Sequence, residues 1–119
     1  MSDEPTYVGP DDPYAVWTLA EMPTEPVVAA TFNPELVRRE GELFGEDGLW
    51  TNISGMMGPG VNLHTAAYCG RAHEYYSEDA MLTNRMASEL AAGTWEKGTW
   101  AVMKHFAVND MEYNRTGLS

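Results

Sequence analysis

The chain has 119 residues and 13.2 kDa, enough for one small domain or a portion of a larger one, and its 44% apolar and 21% charged residues are ordinary for a globular chain. Eighteen acidic against seven basic side chains give a net charge of −11, which argues against nucleic acid and against an anionic membrane as partners. Cys69 is the only cysteine, which excludes a disulfide framework; no apolar run approaches the roughly 18 residues of a membrane span.

The opening Met1-Ser2-Asp3-Glu4-Pro5 is acidic and has no basic segment leading into an apolar core, so a cytoplasmic location is expected. Residues 1–25 carry six acids and no Lys or Arg, and five of the seven prolines fall at or before Pro26. Proline fixes φ and removes donors, so this stretch is expected to be a weakly ordered acidic arm, with residues 26–119 forming the domain. Asn33-Pro34 reads as an N-cap followed by a first-turn proline. Leu36, Val37, Leu43 and Phe44 then share one helical face, with Glu35–Arg39 and Arg38–Glu42 as i,i+4 pairs on the other. Gly45 and Gly48 are expected to end this helix.

Ile53-Ser54-Gly55-Met56-Met57 reads as a short buried strand. A second helix starts at Asp79, with Leu82, Met86 and Leu90 in line, and is closed by Gly98; Trp100-Ala101-Val102-Met103 has the length of a strand. Strand, helix, strand is the pattern of a βαβ crossover, with parallel strands expected to be buried on both faces. The fold class is therefore α/β.

The stretch from Gly58 to Ser77 is long for a connector, and such loops usually carry function. Placed after a strand's carboxyl end, it brings Arg71 to the rim where ligands of α/β folds bind, and Lys104-His105 occupies the matching place after the next strand. Three hydrogen-bond donors on one rim suit a ligand rich in oxygen acceptors, a sugar or a carboxylated metabolite. Two plainer arrangements compete: Arg71 as a structural partner of Glu74 or Glu78, and His105 turned away from Lys104, since adjacent strand residues face opposite sides. His64, Cys69, His73 and Glu74 lack the spacing of a zinc site, and no metal or cofactor is expected. Glu74, Glu78, Asp79 and Glu112 could suggest an acid/base pair, but Asp79 reads better as a helix cap. Trp50, Trp95 and Trp100 are expected to pack in the interior; with Trp17 they are the candidate stacking platforms.

Gly58-Pro59-Gly60-Val61-Asn62, then Cys69-Gly70-Arg71-Ala72-His73-Glu74-Tyr75-Tyr76-Ser77-Glu78-Asp79, then Lys104-His105-Phe106-Ala107-Val108-Asn109-Asp110-Met111-Glu112-Tyr113-Asn114-Arg115 resemble, in order, the signature segments of glycoside hydrolase family 3. Thr31-Phe32-Asn33-Pro34-Glu35-Leu36 resembles the family's upstream helix start, and the similarity runs over about residues 23–119. The resemblance implies a partial (β/α)8 TIM barrel, its N-terminal portion built from parallel βαβ units. It implies a retaining β-glucosidase acting on terminal non-reducing β-D-glucosyl residues, with a β-glucoside or glucose as ligand. The resemblance places Arg71, Lys104, His105 and Arg115 on the family's sugar-binding positions, and Asn109 and Glu112 are expected to orient those side chains rather than touch substrate. Ala107-Val108-Asn109-Asp110 stands where N-acetylglucosaminidase members have Pro-Gly-His-Gly, which favours the glucosidase type. His73 stands where the family usually has an aromatic residue.

Two departures accompany the match. The family's nucleophile and acid/base carboxylates fall outside these 119 residues, so no catalytic residue is assigned and the chain alone is expected to be inactive. If Gly9-Pro10 is the counterpart of the family's early Gly-Pro, the substrate aspartate before it is replaced by Val8, with Asp11 or Asp12 as possible substitutes. A glucose-binding or regulatory module and a non-functional truncated product are the alternative readings. Uncovered barrel edges would favour self-association.

Overall fold

The computed structural model describes residues 21–117 together with the backbone of 6–8 and 16–18. Within the acidic stretch, β1 (Thr6–Val8) and β2 (Val16–Thr18) pair antiparallel, with Tyr7 opposite Trp17 and Val8 opposite Val16. Gly9-Pro10, Asp11, Asp12 and the side chains of Val8 and Trp17 lie outside the described residues.

Helix α1 (Glu25–Ala29) begins with Pro26 in its first turn and buries Val28 and Ala29. Phe32, at φ 50, turns the chain into α2 (Pro34–Trp50). Asn33 caps that helix as expected, its Oδ1 accepting from the Leu36 N–H at 3.2 Å. The buried face differs from the expected one. Val37 is fully buried and Phe44 is partly buried against the core, but Leu36 and Leu43 are about half exposed. Behind Val37 the buried line runs through Gly41, Gly45 and Gly48, spaced to lie on one side of the helix. These glycines do not end α2; they let another backbone approach it. A Cβ at Gly41 would overlap the Leu90 carbonyl oxygen, and one at Gly93 the Arg38 carbonyl oxygen.

The helix brought this close is α3 (Ala80–Glu96), capped by Asp79, whose Oδ1 accepts from the Leu82 N–H at 2.7 Å. Met86, Ala87 and Leu90 are buried and Leu82 packs beside them, as the spacing predicts. Gly98, at φ +87, carries the chain out of the helix. Charge closes the seam: Arg38 reaches across to Glu89 at 2.8 Å and Glu96 at 2.5 Å in place of the expected Glu42, and Lys97 holds Glu46 at 2.6 Å. Glu35–Arg39 forms as expected, at 3.3 Å.

Strands β3 (Gly55–Met56) and β4 (Trp100–Ala101) are parallel, with Gly55 opposite Trp100 and Met56 opposite Ala101, so α3 is the crossover of a βαβ unit. Both strands are shorter than their apolar runs. Met56 packs on the core while Trp100, 52% exposed, lies over Gly55. The expected burial on both faces is not found: among the described residues Met57, Trp100 and Met103 stand about half exposed or more. Trp50 and Trp95 are likewise exposed rather than interior. The core joins Val28, Ala29, Val37, Tyr76, Met86, Ala87 and Leu90. Beyond the strands a parallel bridge between Gly60 and Lys104 continues the ladder toward the long loop, with Val61 N–H on Lys104 O at 2.7 Å and Lys104 N–H on Pro59 O at 3.0 Å. The Gly58–Pro59 and Lys104–His105 peptides are cis. Among the described residues no helix is long and apolar enough to cross a membrane.

Candidate sugar-binding site

The ladder's last bridge sets Lys104 beside the loop that carries Arg71. Gly60 is buried there with no room for a side chain, since a Cβ would overlap the Glu74 carbonyl oxygen. The loop is fastened from inside. His64 Nε2 donates to the carbonyls of Ala72 and Tyr75, at 2.9 and 2.8 Å. Asn62, 3% exposed, donates to Asp110 Oδ1 at 3.0 Å and accepts from the Asn109 N–H at 3.0 Å. Asp110 also accepts from Thr65, and Cys69 Sγ approaches the Asn109 carbonyl at 3.5 Å. The two signature segments are thus tied into one ledge. His64 and Cys69 serve as staples in it, and among the described residues no His/Cys/Asp/Glu group has the form of a metal site.

On this ledge a one-turn 3-10 helix, Ala72–Glu74, presents Glu74. Arg71 Nε and Nη2 each donate to one of its carboxylate oxygens at 2.7 Å, and Lys104 Nζ donates to Oε2 at 3.1 Å. The pairing of Arg71 with Glu74 is the plainer arrangement anticipated above. It also brings the guanidinium and the ammonium to one carboxylate. The Arg71 guanidinium, helped by Lys104, outweighs partial burial and lowers the Glu74 carboxyl to about 2. A guanidinium has five N–H donors and an ammonium three, so both cations keep donors beyond those given to Glu74. Arg71 Nη1 lies 3.9 Å from Glu112, which takes Arg115 at 2.9 Å. Arg115 therefore joins through Glu112, at the edge of the cluster and half exposed. The side chains alternate in charge: Lys104, Glu74, Arg71, Glu112, Arg115.

The His105 ring packs against Tyr75. Its Nδ1 lies 2.7 Å from the hydroxyl of Tyr75, which is 1% exposed, and the rings meet edge-on at 5.9 Å. Asn109 Nδ2 stands 3.3 Å from the same nitrogen and 2.5 Å from the Tyr75 hydroxyl. Burial, with the Arg71 and Lys104 charges added, pushes the His105 ring below its usual range. Glu78 is exposed and Asp79 caps α3, so neither pairs with Glu74 or Glu112 for acid/base work. Sequence reasoning missed Tyr75 and underrated Glu74; three-residue spacing from Arg71 was the available signal for the latter. Two hollows, of about 210 and 300 Å³, open beside α1 and α2, and neither is lined by Arg71, Lys104 or His105.

Residues 16–114 match the model described as the glycosyl hydrolase family 3 N terminal domain. The chain belongs to glycosyl hydrolase family 3. Thermostable beta-glucosidase B from Acetivibrio thermocellus is 38% identical over 94 residues, 79% of this chain and 12% of that protein. The solved structure of beta-glucosidase 3B from Thermotoga neapolitana in complex with alpha-D-glucose is 34% identical at a TM-score of 0.77, over 92% of this chain and 15% of that one. DesR, a beta-glucosidase from Streptomyces venezuelae solved with D-glucose, gives 31% and 0.80, over 83% and 13%. The expected family resemblance is thus shown, and the relatives that carry it are named beta-glucosidases. The chain spans about an eighth of the length of the curated relatives it matches.

Proposed function

We propose that this chain is the sugar-holding portion of a family 3 β-glucosidase, an N-terminal part of a (β/α)8 barrel. Arg71, Lys104 and His105, with Arg115 at the edge, hold the hydroxyls of the terminal glucosyl residue of a β-glucoside. The observation that carries this reading is the single Glu74 carboxylate that gathers Arg71 and Lys104 at the carboxyl end of a parallel strand pair. It fixes two donors side by side while the triad keeps a net positive charge, which suits adjacent hydroxyl acceptors on one pyranose. The glucose-bound relatives support the same ligand class.

Hydrolysis needs more than this cradle. Retention requires a nucleophilic carboxylate and a carboxylic acid about 5–5.5 Å apart across the scissile bond. In the described cluster both carboxylates are committed: Glu74 to Arg71 and Lys104, Glu112 to Arg115. A carboxyl held near 2 is a poor proton donor at neutral pH. On this reading the described cluster binds sugar and supplies neither carboxyl, and no turnover by the chain alone is expected. Calorimetric titration with glucose and with gluconolactone tests the reading. Saturable binding, weakened at least about tenfold by Arg71→Ala, is expected, with no release of phenol from an aryl β-glucoside. Equal affinity of the variant, or steady turnover surviving repurification, contradicts it.

A further inference from the structure

The proton on His105 is decided by what faces its ring. Two groups converge on Nδ1, the Tyr75 hydroxyl and the Asn109 side-chain nitrogen. An amide nitrogen only donates, whereas a phenol hydroxyl both accepts and donates. Asn109 Nδ2 also reaches the Tyr75 oxygen, so that oxygen accepts from the amide; because the same amide donor faces Nδ1, the ring nitrogen is the acceptor there and the phenol proton goes to it. An Nδ1 that accepts carries no proton, and in a neutral imidazole the proton then resides on Nε2. Nε2 makes no hydrogen bond among the described residues.

We infer that Tyr75 and Asn109 are positioning residues that lock His105 as the neutral Nε2–H tautomer, so that it presents a third donor beside Arg71 and Lys104. This rests on the sugar-binding reading for its purpose and not for its geometry. A cradle whose three ligand-facing groups all donate selects a ligand by its acceptor lone pairs. An Nδ1–H ring would instead offer an acceptor at that corner. Tyr75 is suited to the task because it is held from both ends: its carbonyl takes His64 Nε2 and its hydroxyl takes Asn109. The tautomer follows the Asn109 amide. Reversed, its oxygen would face the phenol, the phenol would donate to it, and the ring would donate through Nδ1.

Two-bond proton–nitrogen correlation spectra of the ¹⁵N-labelled 119-residue chain at pH 8 separate the two arrangements, with His105→Gln identifying the resonances among the three histidines. A pyridine-like Nδ1 and a pyrrole-like Nε2 are expected. Tyr75→Phe should mix the two tautomers, shifting both nitrogens toward each other, and weaken glucose binding about three- to tenfold with the far-ultraviolet circular dichroism retained. Asn109→Ala should move the ring nitrogens the same way and by less. A merely structural Tyr75 would lower the melting temperature and leave the nitrogen shifts in place. A pyrrole-like Nδ1 in the unaltered chain overturns the lock even if glucose binds. The expected spectra in a chain that fails to bind glucose overturn the sugar-binding reading and leave the lock standing.

Discussion

Two glutamates of this chain are displaced in opposite directions by their surroundings, and both displacements reach into stability. The Arg71 fork, with Lys104, holds Glu74 down to about 2, whereas burial, with the Glu25 charge added, pushes Glu40 up to about 7. Glu40 and Glu25 share the hollow of about 300 Å³ beside α1, and Glu25 is raised by burial against the opposing backbone hydrogen bonds from its own N–H and from Gly60. A carboxyl raised in the folded state binds its proton more tightly there than in the unfolded chain. Its contribution is complete below about 4.5 and is lost as pH rises through about 7. Glu74 acts the other way: its contribution is present above about 4.5 and is lost as pH falls toward 2. Glu40→Gln should therefore leave the melting temperature unchanged near pH 4.5 and raise it at pH 8. A uniform shift at both pH values would contradict this. Arg71, Lys104 and His105 stood out in the sequence as hydrogen-bond donors at the strand ends, on positions the family resemblance marks for sugar. Tyr75 was not: its hydroxyl acts on a residue thirty positions away, and a buried aromatic reads as core.

Pairing between elements explains where the sequence misled. Glycine is the commonest signal past a helix end, so Gly45 and Gly48 read as a stop. The distinction between a stop and a contact lies in the partner, and only the position of α3 shows that Gly41 and Gly93 bring two backbones together. The same gap accounts for Arg38, whose local candidate Glu42 loses to two glutamates on α3. The caps were legible because capping is local chemistry: Asn33 and Asp79 each bond a backbone N–H three residues on. Gly93→Ala should destabilise the chain by about 2–3 kcal/mol, because both atoms in conflict belong to backbone. Gly70→Ala meets only Glu112 at ordinary contact distance and should stay within about 0.5 kcal/mol. Denaturant unfolding of the two variants checks the contrast; equal losses would mean that the seam is looser than its geometry.

For the whole molecule, the parallel βαβ unit was legible from the order of apolar runs, but the exposure of its apolar side chains was not. Burial on both sides was expected, yet Trp50, Trp95, Trp100, Met103 and Phe106 stand about half exposed or more. A run of apolar residues announces that something covers it without saying whether that cover lies in the same chain. Exposed apolar area on this scale favours association, and we propose that the isolated chain self-associates. Sedimentation velocity should show a mean mass that grows with concentration, and a monomer unchanged across that range would refute the proposal.

We propose that Arg71, Lys104 and His105 grip one pyranose. A crystal of the chain soaked in glucose tests it most directly. One sugar should be found with its hydroxyls within hydrogen-bond distance of Arg71 Nη1, Lys104 Nζ and His105 Nε2, and with Glu74 still bridging the two cations. Glucose bound away from these three side chains, or a vacant ledge at saturating sugar, would contradict the account.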